Sequence, residues 1–163
     1  MTPLISECIQ GFRQIADAPI EDVIRLMVGS LQHVVADIEP VVTHWKNMEL
    51  RGITGWTDRG LVLGEACVPS LTSPVIALGA SPQGFLWRSR TGQARPEIDG
   101  ATAYLVYLIV APTEQLRLQF LAKGTRLFSK PEIVHRIAQA QSLDEARELV
   151  RNLERALPSA DSR

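Results

Sequence analysis

Ala101-Thr-Ala-Tyr-Leu-Val-Tyr-Leu-Ile-Val-Ala111 is the longest apolar run in the chain. It falls well short of the roughly 20 residues that a membrane-spanning helix needs. It also lacks the polar alternation of a strand with one wet face. Such a run reads as a strand buried on both faces, central in a sheet that other elements cover above and below.

Three helical segments follow it. Thr113 is placed to cap the first, which carries Leu116, Phe120 and Leu127. Ser129-Lys-Pro-Glu132 reads as a capping box opening the second, and Ser142-Leu-Asp-Glu145 as one opening the third. Leu143, Ala146, Leu149, Val150, Leu153 and Leu157 share one face of that third helix. The tail from 158 to 163 reads as disordered.

Upstream of the run, Ser81 to Gly100 is polar and rich in Gly, Pro and Arg, and reads as a long loop, with a short hairpin within it as the alternative. Two strand-like segments precede it, Leu61 to Val68, interrupted by Gly64 and ended by Pro69, and Pro74 to Gly79. Gly52, Gly55 and Gly60 mark a loop before them. Further back, Ile20, Val23, Ile24, Met27, Leu31, Val34 and Val35 recur at three- and four-residue steps, which predicts an amphipathic helix. Pro40 suits the first turn of a second helix carrying Val41, Trp45 and Met48. Helices therefore precede and follow a group of strands. The expected fold class is α/β, a mixed central sheet flanked by helices on both faces.

The chain has 163 residues, which suits one domain covering 1–163, with a core from about 20 to 157. Its formal net charge is −1, which offers little to a nucleic acid or an anionic membrane as main partner. The start of the chain has no basic lead-in to an apolar stretch, so no signal peptide is expected. The two cysteines, Cys8 and Cys67, form no Cys-x-x-Cys, and the expected compartment is a reducing cytoplasm.

No complete catalytic motif is present. His33, His44 and His135 each fall in a predicted helix, and none has a second ligand at i+4, so no metal pair is ready-made. Cys67 sits inside a predicted strand and reads as a buried, inert thiol. There is no Gly-x-Ser-x-Gly elbow and no phosphate loop ending Gly-Lys-Ser/Thr. No cofactor is implied. Trp87-Arg-Ser-Arg90 with Arg95 reads as a solvated basic loop.

The order of segments resembles a known family. Gly52-Ile-Thr-Gly55 looks like a Gly-Ser-Thr-Gly turn, and Glu65-Ala-Cys-Val-Pro-Ser70 like a Gly-x-Ala-x-Pro-His motif. Pro74 to Pro82 looks like the strand and turn that follow, Tyr104 to Pro112 like an apolar strand ending in Ala-Pro, and Leu118 to Phe128 like a helix written His-Leu-x-Leu-Leu-Ala. Together these are similar to the type-2 IIA domain of the sugar phosphotransferase system, the mannitol, fructose and nitrogen-regulatory group of bacteria. The likeness spans about Ile20 to Leu157.

The departures bear on function. The family's phosphoryl-accepting histidine falls at Ser70, and its second active-site histidine at Arg117. The loop between Gly55 and Pro69 is longer than the family's. The arginine expected before the Gly-x-Thr-Gly turn falls near Met48, with Lys46 or Arg51 as substitutes. Imidazole both accepts a phosphoryl group near neutral pH and gives it up; a serine hydroxyl needs a base and makes a poor donor. The resemblance therefore implies a non-catalytic IIA-like domain that acts by contact with a protein partner, a transporter, a kinase or a phosphotransferase component, with a homodimer left open. It also implies that Ser70 and Arg117 share a shallow cleft. Two alternatives stand beside it. One is an anion- or nucleotide-sensing cleft using Thr54, Ser70 and Arg117. The other is a phosphocarrier working through a residue other than histidine, for which Cys67 is the nearby candidate.

Overall fold

The computed structural model describes residues 3–51, 55–56, 59–87 and 102–157. The apolar run forms β5 (Thr102–Ala111), third in a five-stranded sheet of order β1-β4-β5-β3-β2. The other strands are β1 (Ile9–Gln14), β2 (Gly55–Trp56), β3 (Leu61–Cys67) and β4 (Val75–Leu86). β5 runs parallel to β3 and antiparallel to β4, while β1 runs parallel to β4 and β2 antiparallel to β3. The sheet is mixed, as expected, and its centre is the strand that the sequence marks as buried.

Period-two alternation in β5 feeds two cores. Val106, Leu108 and Val110 join one cluster, with Val23, Ile24 and Met27 from α2 (Ile20–Gly29) and Val41 and Trp45 from α3 (Glu39–Leu50). Leu105, Tyr107 and Ile109 join the other, with Phe120 from α4 (Glu114–Leu127), Val134 from α5 (Pro131–Ile137) and Val150 from α6 (Leu143–Ala156). Helices cover both faces. In β3, Gly64 faces α3 so closely that a Cβ there would lie 2.6 Å from the Trp45 ring. Trp45 in turn stacks on Trp87, ring centroids 6.4 Å apart, both fully buried.

Several expectations need correction. The core does not begin near residue 20. A short helix, α1 (Ile5–Cys8), and β1 precede it, and Ile5, Cys8 and Ile9 are buried in the second cluster. Helix α6 holds this segment in place: the Glu154 carboxylate accepts the Ile5 and Ser6 amides at 2.7 and 2.8 Å, and Arg147 Nε donates to the Ile9 carbonyl at 2.8 Å.

Helix α2 ends at Gly29 instead of running on to Val35. Gly29 and Ser30 are weak helix formers, and the Ser30 hydroxyl donates to the Met27 carbonyl at 2.6 Å. The backbone then tightens into i→i+3 bonds, Leu31 to Val28 and Gln32 to Gly29, which still deliver Leu31 and Val35 to the core. His33 lies on these turns, not in a helix.

Ser129 does not cap α5. The N-cap is Lys130, extended at φ −110° and ψ 137°, because Pro131 at the first helical position disfavours helical backbone in the residue before it. The other two caps form. Thr113 Oγ accepts the Leu116 amide at 3.2 Å, and Ser142 Oγ accepts the Glu145 amide at 3.1 Å.

The segment read as a loop from Ser81 is strand through Leu86. Ala80 pairs with Leu105 and Phe85 with Ala103, so extra residues bulge out between them. Gly84, at φ +81°, takes the left-handed conformation that this bulge needs. The rest of that predicted loop, from 88 to 100, lies outside the described residues.

Candidate functional site

Parallel β3 and β5 end side by side, Cys67 opposite Ala111, and the Val68 amide donates to the Ala111 carbonyl at 2.9 Å. From there β3 turns through Val68–Leu71, closed by a 3.0 Å bond from the Leu71 amide to the Val68 carbonyl. Ser70 sits exposed on that turn. From the end of β5 the chain passes through Thr113 into α4, whose second turn carries Arg117. The carboxyl end of a parallel strand pair is where α/β folds gather ligands, and both Ser70 and Arg117 stand there.

Alternation fixes what faces Arg117. Val62, Gly64 and Ala66 of β3 point toward α3, so Glu65 and Cys67 point toward α4. Arg117 Nη1 lies 2.7 Å from Glu65 Oε1, and Nη2 lies 3.1 Å from Glu114 Oε1, one helical turn back. The Arg117 and Glu65 side chains are only 16% and 19% exposed. Burial works against the guanidinium charge, but the two carboxylates outweigh it and the Arg117 pKa is raised. The second Glu65 oxygen is buried with no hydrogen-bond partner.

Cys67 is exposed, not buried, because it is the last residue of β3 and projects past the end of the sheet on the α4 side. It lies near enough to Arg117 to help raise its pKa. The sequence could not mark Glu65 as the partner of Arg117. It lies 52 positions away in the chain, which sequence periodicity does not reach. Next to Arg117, Leu118 is 53% exposed. It opens a shallow groove along α4 lined by Leu121, Ala122, Thr125, Arg126 and Arg59.

Thr54 and most of the Gly52–Gly55 turn lie outside the described residues. Of the arginine substitutes, Lys46 is half-buried on α3 and Arg51 is exposed just past its end. His44 and His135 are exposed, and His135 packs on the Tyr104 ring with centroids 4.3 Å apart. Among the described residues no group of His, Cys, Asp and Glu could hold a metal ion. No described helix is long and apolar enough to cross a membrane.

No family model and no curated protein matches the chain. Solved structures do. The mannitol IIA domain of Escherichia coli matches with a TM-score of 0.64 at 19% identity, over 91% of this chain and 99% of its own. The nitrogen regulatory IIA protein of Neisseria meningitidis matches with a TM-score of 0.66 at 12% identity, over 90% and 98%. The fold is that of the phosphotransferase-system IIA domains. A third match is the Escherichia coli mannitol IIA enzyme in complex with its phosphorylated IIB enzyme, with a TM-score of 0.61 at 19% identity over 93% and 99%. At the carboxyl end of this chain's β3 and β5, Arg117 is tied to two carboxylates.

Proposed function

We propose that this chain is a cytoplasmic, single-domain regulatory relative of the bacterial IIA proteins that acts by protein contact and carries no phosphoryl group. The observation that supports this is the clasp of Arg117 between Glu65 and Glu114, at 2.7 and 3.1 Å. At Ser70 a phosphoryl donor meets a hydroxyl in place of the family's imidazole. At the same end of the sheet the Arg117 guanidinium is already matched by two carboxylates, an arrangement with net negative charge that repels an incoming phosphate dianion.

What remains for the site is contact. Exposed Leu118 and the groove behind it give α4 an apolar stripe beside Arg126, open to a partner helix with an acidic rim. A IIB-like protein is the first candidate, since the mannitol IIA enzyme of similar fold forms a complex with phosphorylated IIB. The anion-sensing reading loses ground here, because both terminal nitrogens of Arg117 already face carboxylates. The exposure of Cys67 keeps the carrier reading open to test.

The test is incubation with the general phosphotransferase proteins and labelled phosphoenolpyruvate. The expected result is no label on the chain. Label that disappears in Cys67→Ser or in Ser70→Ala overturns the non-carrier reading and names the acceptor.

A further inference from the structure

The sheet has a second feature on the far side from Arg117. Among the described residues β1 is an edge strand, and nothing pairs with its outer side. The Ile15 amide donates inward, to the Ala80 carbonyl of β4 at 2.9 Å. Peptide groups alternate along a strand, so Phe12 and Gln14 present theirs outward. The outward carbonyl of Phe12 accepts Arg13 Nη1 at 3.1 Å, and that of Ile9 accepts Arg147 Nε at 2.8 Å. Among the described residues, two arginine side chains thus satisfy outward carbonyls of this edge.

The space beside this edge is a slot. The turns after α2 wall it on one face of the sheet and the start of α6 on the other. It is a cavity of about 370 Å³ lined by Gly11, Phe12, Arg13, Ser30, His33 and Leu143. It runs into a second cavity, of about 360 Å³, that shares Arg13, Gly29 and Gln32 and reaches Leu26, which is 41% exposed. The ionisable groups lining the two cavities are Arg13, Arg25, Asp22 and His33; Arg147, at the α6 end, is paired with Asp144 at 3.8 Å. Arg25 is matched by Glu39 at 2.7 Å. Arg13 has no carboxylate partner among the described residues; its guanidinium donates to the adjacent carbonyl.

We infer that the β1 edge is a docking site for an extended acidic segment of another protein. The segment adds as a sixth strand, its backbone pairing with Phe12 and Gln14 and a carboxylate drawing Arg13 off the Phe12 carbonyl. A carboxylate makes a charge-assisted pair with the guanidinium, which the carbonyl does not. A second copy of this chain is a poorer occupant. Edge-to-edge pairing of two copies brings a second Arg13 onto the same edge, and like charges opposite one another destabilise a strand pair.

The probe is a capped peptide of alternating glutamate and valine, about six residues long, the length of an ordinary strand. Amide chemical shifts of the whole chain are followed as it is added. The expected result is movement at Phe12, Gln14 and His33, with binding weakened about tenfold by Arg13→Glu, a loss of about 1.4 kcal/mol. Gln14→Pro, which removes an outward amide and leaves the β4 ladder intact, should also weaken binding. A lysine–valine peptide should not bind. The inference is overturned if about 1 mM acidic peptide, a very weak affinity, moves no β1 amide. It is overturned equally if the lysine peptide binds as well, if Arg13→Glu is without effect, or if the chain alone dimerises through this edge.

Discussion

Arg117 and Glu65 join helix α4 to strand β3 through a 2.7 Å ion pair that is more than four-fifths buried on both sides. Another ion pair that bridges separate elements at this distance, Arg25 with Glu39, stands in solvent. Arg117→Met strands the Glu65 carboxylate, one oxygen of which is already unpartnered. It should cost about 1–2 kcal/mol in urea unfolding, since a largely buried charge loses its partner at the rim of the core. Arg25→Met should leave stability nearly unchanged. Equal effects would show that the Arg117 pair is as well solvated as the surface one.

Gly64→Ala should destabilise the chain by about 1–3 kcal/mol, as overpacked core sites do. The added Cβ would stand 2.6 Å from the Trp45 ring, and Trp45 has little room to yield because it stacks on Trp87. The shift should appear in tryptophan emission as well as in the unfolding midpoint. Unchanged emission together with unchanged stability would mean that α3 packs on β3 more loosely than described.

Cys8 gives a pH signature. Burial, with a smaller push from Glu7, raises its pKa from 9.0 to about 11. The folded state therefore favours the neutral thiol. Its contribution is fully present below pH 9 and is lost as pH rises from 9 through 11, by about 1.4 kcal/mol per pH unit. Tyr107 is also raised by burial and adds its own alkaline loss. The clean measurement is the difference between the chain and Cys8→Ala in denaturant unfolding between pH 8 and pH 11 under reducing conditions. A flat difference would place the Cys8 thiol in water.

Much of this architecture is legible because burial leaves a pattern in the sequence. β5 is apolar throughout because both its faces are covered, and Ser142 announces α6 because a cap is a local device. β1 is not legible. Its residues, Ile-Gln-Gly-Phe-Arg-Gln, are half polar because one side of an edge strand meets water, and Gly11 breaks the alternation. The bulge in β4 hides the strand's continuation, since Pro82 and Gly84 read as a turn. At the site, Ser70 and Arg117 are placed at one end of the sheet by the order of motifs. Glu65 pairs with Arg117 through strand alternation and helix docking, which emerge only when β3 and α4 are packed. The exposure of Cys67 is of the same kind. A thiol on a strand reads as buried until the strand is seen to end there.

Ser70→His alone should not create a phosphocarrier. It restores a nucleophile on an exposed turn, but Arg117 stays clasped by Glu65 and Glu114, and the second imidazole is still missing. Any phosphoryl group that arrives faces two carboxylates, and a guanidinium drawn away from them would hold the group in a fixed pair and not pass it on. Ser70→His with Arg117→His should do better, because the second imidazole can pair with Glu65 and share the charge of the transferred group. The measurement is the transfer of label from the upstream histidine phosphocarrier to each variant, followed by its release to water or an acceptor. The double variant is expected to label faster than the single one, and the original chain not at all. If Ser70→His alone turns over at the rate of an intact IIA domain, then the Arg117 clasp does not obstruct phosphoryl transfer. The contact reading would then lose the observation that supports it.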